Sequence, residues 1–116
     1  MMLVTDAMPS VGSDAASFDL LGKTVTRRDG MLTTADGTIA GSDLDMATAV
    51  RNSVNDLGMP LEAALHMASR APAEFLGLGS ELGRIAPNYR ASLVLLDDDL
   101  SVVETWIEGV ASRDAK

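Results

Sequence analysis

Apolar and polar positions along the chain predict strands near both ends and helices in the middle. The first four residues, MMLV, form a continuous apolar run, and Thr5 and Asp6 follow directly. A short apolar run with a polar end predicts a buried strand that stops at the carboxylate of Asp6. Residues 7–17 contain Pro9, Gly12 and several serines, so we predict a loop there.

Two Asp-Gly pairs, at positions 29–30 and 36–37, separate the short apolar runs of the next stretch. Such a pair is a hairpin-turn signal, because Asp and Gly both tolerate a positive φ. We therefore predict short strands at residues 24–27 and 31–33. Residues 36–42, DGTIAGS, are predicted to form a glycine-bearing loop that leads into a helix.

Helical spacing of apolar side chains between Met46 and Leu57 predicts a first helix. Ser42 is its predicted N-cap, with Asp43 and Asp45 in the first turn, where the helix dipole favours negative charge. Gly58 is placed to end it. The predicted apolar stripe consists of Met46, Ala49, Val50, Ser53, Val54 and Leu57.

A second helix is predicted to begin at Pro60, where a missing N–H does no harm, with an apolar stripe of Leu61, Ala64, Leu65 and Ala68. Ala71-Pro72 is predicted to break it and to open a short third helix. The period then changes: LVLL at 93–96 and VVETWI at 102–107 predict two strands joined by an acidic turn. The tail after Val110 is predicted to be frayed.

Composition narrows the class of protein. A hydrophobic share of 47% and a charged share of 22% are typical of a globular protein, and 116 residues suffice for one domain. A net charge of −8 argues against non-specific nucleic-acid binding and against anionic membrane surfaces. Cysteine is absent, and neither a signal peptide nor a membrane-spanning run is recognisable. We expect a soluble, cytoplasmic protein.

Asp6 is the main candidate for chemistry. At the end of a barrel strand, an aspartate can accept a proton from a metal-bound water and pass it to a leaving group. An ordinary polar residue at a strand end remains the alternative. The loop at residues 36–42 could hold an anion or sugar oxygens on free backbone N–H groups, or could be a plain connection.

Other motifs carry less weight. LLGKT at 20–24 lacks the first glycine of a P-loop, and Asp97–Asp99 lack the spacing of a calcium loop. Arg27-Arg28 is too small a basic patch to indicate phosphate binding. His66 is the only histidine, and we predict that it lies on a helix surface, because a catalytic zinc site needs several converging ligands.

The order of segments resembles one family closely. LVTDAM, then DGTIAGSDLDMATAVRNSV, PLEAALHMASRAPAEFLGL and LGRIAPNYRASLVLLDDDLSVVETWIEG, is similar to the C-terminal part of the N-acetylglucosamine-6-phosphate deacetylase family, within the amidohydrolase superfamily. The resemblance extends from Leu3 to about Gly109. It implies an α/β fold, namely the C-terminal portion of a metal-dependent (β/α)₈ barrel plus strands of an accessory β-sandwich, an incomplete fold.

By this resemblance, residues 1–80 would be the last strand, substrate loop and closing helices of the barrel, 81–110 sandwich strands, and 111–116 a tail. The implied reaction releases acetate from N-acetylglucosamine 6-phosphate. Asp6 matches the catalytic aspartate. Ile39, Ala40 and Gly41 match the segment that contacts the substrate through its main chain. The family implies a divalent metal, zinc or similar, and a homo-oligomer.

Departures from the family pattern qualify these expectations. Asn88 stands where glycine is usual, but asparagine tolerates a left-handed conformation. Ser92 replaces a usual aspartate. The family's metal ligands, a glutamate and two histidines, precede the segment that this chain matches, so we expect no metal bound by this chain alone, no activity and poor stability. The alternative function is a non-catalytic remnant or small interaction protein that pairs with a partner chain.

Overall fold

A computed structural model describes residues 1–114 of the chain, which divide into two units. One unit is Val4–Met46, which we call the hairpin unit. The other joins Met1–Leu3 to the chain from Ala47 onward, and we call it the helix–sheet unit. Each unit contains one antiparallel sheet, so the fold is a small α/β one with two sheets. The domain boundaries expected at residues 80 and 110 stay a prediction.

The hairpin unit is a four-stranded meander in the order β1-β2-β3-β4. Its turn at Asp29-Gly30 has φ values of 52° and 75°, which fit the tight hairpin that the sequence predicts. Val25 and Leu32, both fully buried, form the centre of its core. The strands are β1 Ser17–Leu20, β2 Lys23–Arg28, β3 Met31–Thr34 and β4 Ile39–Ser42.

Two predictions for this unit are confirmed in part and one is wrong. The strands predicted at 24–27 and 31–33 correspond to β2 and β3. Residues 39–42, predicted as part of a loop, form β4, because their backbone pairs with β3. Ser42 therefore belongs to a strand and is not a helix N-cap; its hydroxyl accepts a hydrogen bond from the Leu44 N–H at 2.9 Å.

The helix–sheet unit contains the predicted helices and the predicted C-terminal strands. Helix α1 buries Ala49, Val50 and Ser53, as predicted, but leaves Leu57 73% exposed. The strands pair in the order β5-β6-β7. The elements are α1 Met46–Asn55, α2 Leu61–Leu65, a π-helical turn His66–Arg70, α3 Ala71–Phe75, β5 Leu93–Leu96, β6 Val102–Ile107, β7 Val110–Ala111 and a 3₁₀ turn Ser112–Asp114.

The predicted third helix is present as α3, but the helix does not break at Ala71-Pro72 as predicted, because a π-turn accommodates the proline. The Ala71 N–H donates to the His66 carbonyl, five residues back. In the same pattern Pro72, which has no N–H, leaves the Met67 carbonyl without a donor. The Leu3 N–H takes that place at 2.9 Å. The buried side chains here are Ala64, Met67 and Ala73, while Leu61 and Leu65 are 42% and 39% exposed.

The predicted strand at residues 1–4 is wrong. A strand requires a neighbouring strand for its backbone groups, and within residues 1–114 only isolated contacts reach this segment. Met1 is 99% and Val4 75% exposed.

The C-terminal segment is more ordered than predicted. Ala111 is buried in β7, and the pKa of Glu104 is lowered mainly by the hydrogen bond from the Ser112 hydroxyl. The rest of the predicted tail, residues 115–116, lies outside the described residues.

The turn that begins the C-terminal sheet tolerates both departures from the family pattern. Asn88 has a φ of 67°, the left-handed conformation expected of it. The Ser92 hydroxyl accepts a hydrogen bond from the Glu108 N–H at 3.3 Å, so the effect of this substitution is local.

The acidic segment after β5 is an exposed turn, as predicted. Asp97 Oδ1 accepts hydrogen bonds from the N–H groups of Asp99 and Ser101. None of the helices in residues 1–114 has the length and apolar character needed to cross a bilayer.

Candidate functional site

Residues 6–8 pair with the free edge of β4, and this brings the two predicted parts of the site together. The Ser42 N–H donates to the Asp6 carbonyl at 3.4 Å, and the Met8 N–H donates to the Ser42 carbonyl at 3.0 Å. Ala7 and Ser42 form a parallel bridge. Asp6 itself has a φ of 51° and an exposed side chain. The backbone of Asp6 is therefore held at the edge of β4, and its side chain is accessible.

A β-bulge lies in β4 at the segment predicted to contact a substrate. Met31 pairs with Ser42 and Thr33 pairs with Ile39, so Ala40 and Gly41 lie opposite the single residue Leu32. A bulge interrupts the ladder of hydrogen bonds and redirects the strand, and bulges are common next to active sites. Ile39 is 70% exposed and Ala40 half-buried. The sequence did not predict this bulge.

Gly41 of β4 lies against the side chain of Met8. Its φ is +117°, and a Cβ placed there would lie 2.4 Å from the Met8 Cγ and 2.7 Å from the Met8 sulfur. A side chain at residue 41 would therefore displace Met8. The glycine and the methionine together fix the spacing between the Asp6 segment and the bulge.

An ion pair missed by the sequence analysis ties the loop after Asp6 to the sheet. Arg27 Nε lies 2.6 Å from Asp43 Oδ2, and Nη2 donates to Asp43 Oδ1 at 3.0 Å. The same guanidinium donates to the carbonyls of Ser13, at 2.8 Å, and Ser10. Ser10 is 2% exposed, and its hydroxyl donates to Asp43 Oδ1 at 3.0 Å. We call these four residues the Arg27 clamp.

One signal in the sequence could have revealed this clamp. Val25 and Arg27 are two residues apart in β2, so they lie on the same face, and Val25 is fully buried. An arginine on the inward face of a strand requires a carboxylate or carbonyl partner. The partner itself, Asp43, is 16 residues away and follows a strand that the sequence did not predict.

The residues present do not fit a divalent metal. Across residues 1–114, no group of three or more His, Cys, Asp or Glu side chains is placed to hold a metal ion. His66 is exposed on the π-turn, which agrees with its predicted surface position. A catalytic zinc site takes three protein ligands, so Asp6 alone cannot supply one.

The turn before β4 contains a carboxylate with a shifted pKa. The Asp36 carboxylate accepts hydrogen bonds from the Thr34 hydroxyl and, at 3.1 Å, from the Thr38 N–H. These bonds stabilise the ionised form, the Thr34 hydroxyl most of all, and lower the pKa of Asp36 from 3.8 to about 2. Asp36 is therefore ionised at neutral pH and stabilises the turn that presents the bulge.

The model of the amidohydrolase family matches residues 4–111. The chain belongs to the amidohydrolase family. The match contains Asp6, the bulge and the Arg27 clamp, so all the features described above lie within the family's segment.

Relatives of this amidohydrolase chain confirm the resemblance to sugar-phosphate deacetylases. A putative N-acetylgalactosamine-6-phosphate deacetylase of Escherichia coli K12 is 42% identical over 94% of the chain and 65% of that protein. An N-acetylgalactosamine-6-phosphate deacetylase of Shewanella sp. ANA-3 is 45% identical over 94% of the chain and 27% of that protein. The chain thus spans from about a quarter to two thirds of the length of these relatives.

A solved structure supports the fold. The N-acetylglucosamine-6-phosphate deacetylase of Pasteurella multocida superimposes with a TM-score of 0.87 at 35% identity. The match covers 96% of this amidohydrolase chain and 29% of the Pasteurella chain. The structure of this chain is therefore similar to one segment of the Pasteurella enzyme.

Proposed function

We propose that this amidohydrolase chain provides the Asp6 and β4 segment of an enzyme that removes the acetyl group from an N-acetylated hexosamine 6-phosphate. The products would be acetate and the free amino-sugar phosphate. The observation that supports this most directly is the pairing of residues 6–8 with the bulged strand β4. This pairing brings the backbone next to Asp6, whose side chain is exposed, against the strand that contains the bulge.

Asp6 is assigned the proton transfers of amide hydrolysis. Its carboxylate would accept a proton from the attacking water as general base. It would then return a proton to the amine nitrogen that leaves, as general acid. Ile39, Ala40 and Gly41 are assigned the contacts to the sugar, through the main chain of the bulge. Gly41 suits this segment, because glycine adopts the positive φ of the bulge and leaves room for Met8.

A divalent metal is general to the amidohydrolase family, but residues 1–114 do not provide its ligands. We infer that the ligands come from outside this range, either on the same polypeptide or on a second one. We also propose that the rest of the (β/α)₈ barrel and of its accessory sandwich comes from outside this range. Strands β5 to β7 would belong to the sandwich. A homo-oligomer of the whole enzyme and a cytoplasmic location, where charged sugar phosphates are retained, belong to the same proposal.

The stereochemistry of the sugar is left open between two epimers. The resemblance implies the gluco sugar, for which the Pasteurella enzyme is named, whereas two relatives at 42% and 45% identity are named for the galacto sugar. We therefore propose the class, an N-acetylhexosamine 6-phosphate, and the test includes both epimers.

A hybrid enzyme tests the proposal. Residues 1–114 replace the aligned segment of the Shewanella deacetylase, and acetate release is measured with both sugar phosphates. We expect activity with at least one epimer. Asp6→Asn should lower kcat by about 10³-fold or more, because asparagine can neither accept nor donate the transferred proton and no longer orients the attacking water.

The matched control is Asp14→Asn, which changes an exposed carboxylate in the loop of the same unit. It should retain full activity. A folded hybrid that binds metal but releases no acetate would overturn the proposed function. Retention of activity by Asp6→Asn would overturn the assignment of Asp6.

A further inference from the structure

We propose that Arg27 and Asp43 are positioning residues that keep Asp6 in register with the β4 bulge. This inference rests on the proposed function, because it concerns the placement of the group assigned to proton transfer. It adds residues that neither the motif around Asp6 nor the segment 39–41 contains.

The contacts of the Arg27 clamp connect the Asp6 segment, the loop after Met8 and the end of β4 into one closed network, which we call the ring. On one side, residues 6 and 8 bond to Ser42. On the other side, the loop that follows Met8 is bonded to Arg27 through the carbonyls of Ser10 and Ser13. Asp43, the residue directly after Ser42, completes the ring by pairing with Arg27 and accepting the Ser10 hydroxyl.

Few hydrogen bonds separate the ion pair of Arg27 and Asp43 from Asp6, so we expect loss of the ion pair to alter the backbone position of Asp6. The Val11 N–H donates to the Met8 carbonyl at 3.0 Å, and the Ser13 N–H donates to the Ser10 carbonyl at 3.0 Å. Loss of the guanidinium would remove its hydrogen bonds to the carbonyls of Ser10 and Ser13 at once. The Asp6 backbone depends on the same turn, because its one long bond to Ser42, at 3.4 Å, is too weak to hold the left-handed conformation alone.

Partial burial makes the pair selective for arginine. The side chains of Arg27 and Asp43 are 26% and 15% exposed. A planar guanidinium can serve the carboxylate and two carbonyls simultaneously, whereas an ammonium group is a single point of charge. Arg27→Lys should therefore keep the charge and lose most of the positioning.

Arg28 provides a matched control. It is the next residue in β2, points to the opposite face of the strand, and is exposed. Arg28→Met removes the same charge and the same hydrogen-bonding group as Arg27→Met, at a place where no part of the clamp is affected.

The first measurement is amide hydrogen exchange of Met8 and Ser42 in the full 116-residue chain. Arg27→Met and Asp43→Asn should increase both exchange rates about 10-fold or more, Arg27→Lys should lie between, and Arg28→Met should have no effect. Unchanged exchange in Arg27→Met would overturn the proposal whatever the hybrid enzyme does.

The second measurement separates positioning from general stability. In the hybrid enzyme, Arg27→Lys should lower kcat by about 10- to 100-fold with KM within about 3-fold, at an unchanged Tm. Equal kcat values for Arg27→Lys and Arg28→Met would overturn the positioning role. The Asp6→Asn hybrid keeps the two proposals distinct. If this hybrid remained active, the role of Asp6 would be rejected, but the exchange rates of Met8 and Ser42 would still test the positioning role of the Arg27 clamp.

Discussion

Gly41 is subject to two constraints that a substitution can separate. Its positive φ disfavours any side chain, and the Met8 side chain occupies the space that a Cβ needs. Gly37 has a similar φ of +82° but has nothing within 4 Å of its Cβ position. The two glycines therefore distinguish backbone strain from steric conflict.

We expect Gly41→Ala to lower the free energy of unfolding by about 2–4 kcal/mol and Gly37→Ala by about 1 kcal/mol, since only the former adds a clash to the strain. Urea unfolding followed by circular dichroism measures both. Met8→Ala should recover part of the loss in the Gly41→Ala background, because it removes the conflicting atoms. Equal losses for the two glycine variants would show that Met8 does not constrain residue 41.

Asp36 gives the hairpin unit a defined response to acid. Its folded pKa of about 2 lies below the ordinary value of 3.8, so the ionised carboxylate stabilises the fold. That contribution is complete above pH 3.8 and is lost as the pH falls towards 2. Thr34→Val should raise the pKa of Asp36 towards 3.8, as measured by carboxyl ¹³C NMR titration. Thr33→Val, on the other face of β3, should leave it unchanged.

At the scale of elements, the sequence predicts best where the signal is local. The Asp29-Gly30 turn and the apolar runs LVLL and VVETWI depend on neighbouring residues alone, and β2, β3, β5 and β6 follow from them. Strand β4 was missed because its glycine and the Asp-Gly turn before it resemble a loop. Its bulge and its pairing with residues 6–8 are long-range contacts that no local pattern encodes.

The candidate site was predictable only in part for the same reason. Asp6 and the loop at residues 36–42 were candidates from the residues themselves, the resemblance gave their roles, and their adjacency came from the structure. Arg27 and Asp43 were outside the prediction because the pair joins a strand to the residue after a strand that was not recognised. An inward-facing arginine was the one local indication.

The π-turn before Pro72 makes its own prediction. Pro72→Ala supplies an N–H that can compete with the Leu3 N–H for the Met67 carbonyl. We expect the Leu3 amide to exchange several-fold faster, because the helix can then satisfy its own carbonyl. Pro60→Ala is the control, since Pro60 lies at the start of α2. Slower or unchanged exchange at Leu3 would contradict this account of the contact.

At the scale of the whole molecule, large apolar side chains remain exposed on the β5–β7 sheet. Six of them are at least 48% exposed, and β5 has a neighbour on one side only among the described strands. An apolar edge strand invites pairing with another chain. The exposed sheet is compatible with both functions, the enzyme segment and the interaction protein. In an enzyme, further structure would cover the sheet, and in an interaction protein a partner chain would cover it. The six are Val94, Leu95, Val102, Val103, Ile107 and Val110.

We expect the 116-residue chain to self-associate as its concentration rises, despite its net charge of −8. Leu95→Lys, on the edge strand, should shift sedimentation towards the monomer. Leu57→Lys adds the same charge at a residue 73% exposed in a turn and should have little effect. A single monomeric species at all concentrations would show that the exposed sheet needs no cover.

The division into two units has an optical consequence. The only tryptophan, Trp106, lies in β6 between Leu93 and Ala111, and the only tyrosine, Tyr89, donates its hydroxyl to the Gly79 carbonyl. Both belong to the helix–sheet unit, whereas Phe18 is the sole aromatic residue of the hairpin unit. Intrinsic fluorescence from tryptophan and tyrosine therefore monitors the unit that lacks Asp6. Replacing the half-buried Phe18 with tryptophan would give the hairpin unit an emission signal of its own.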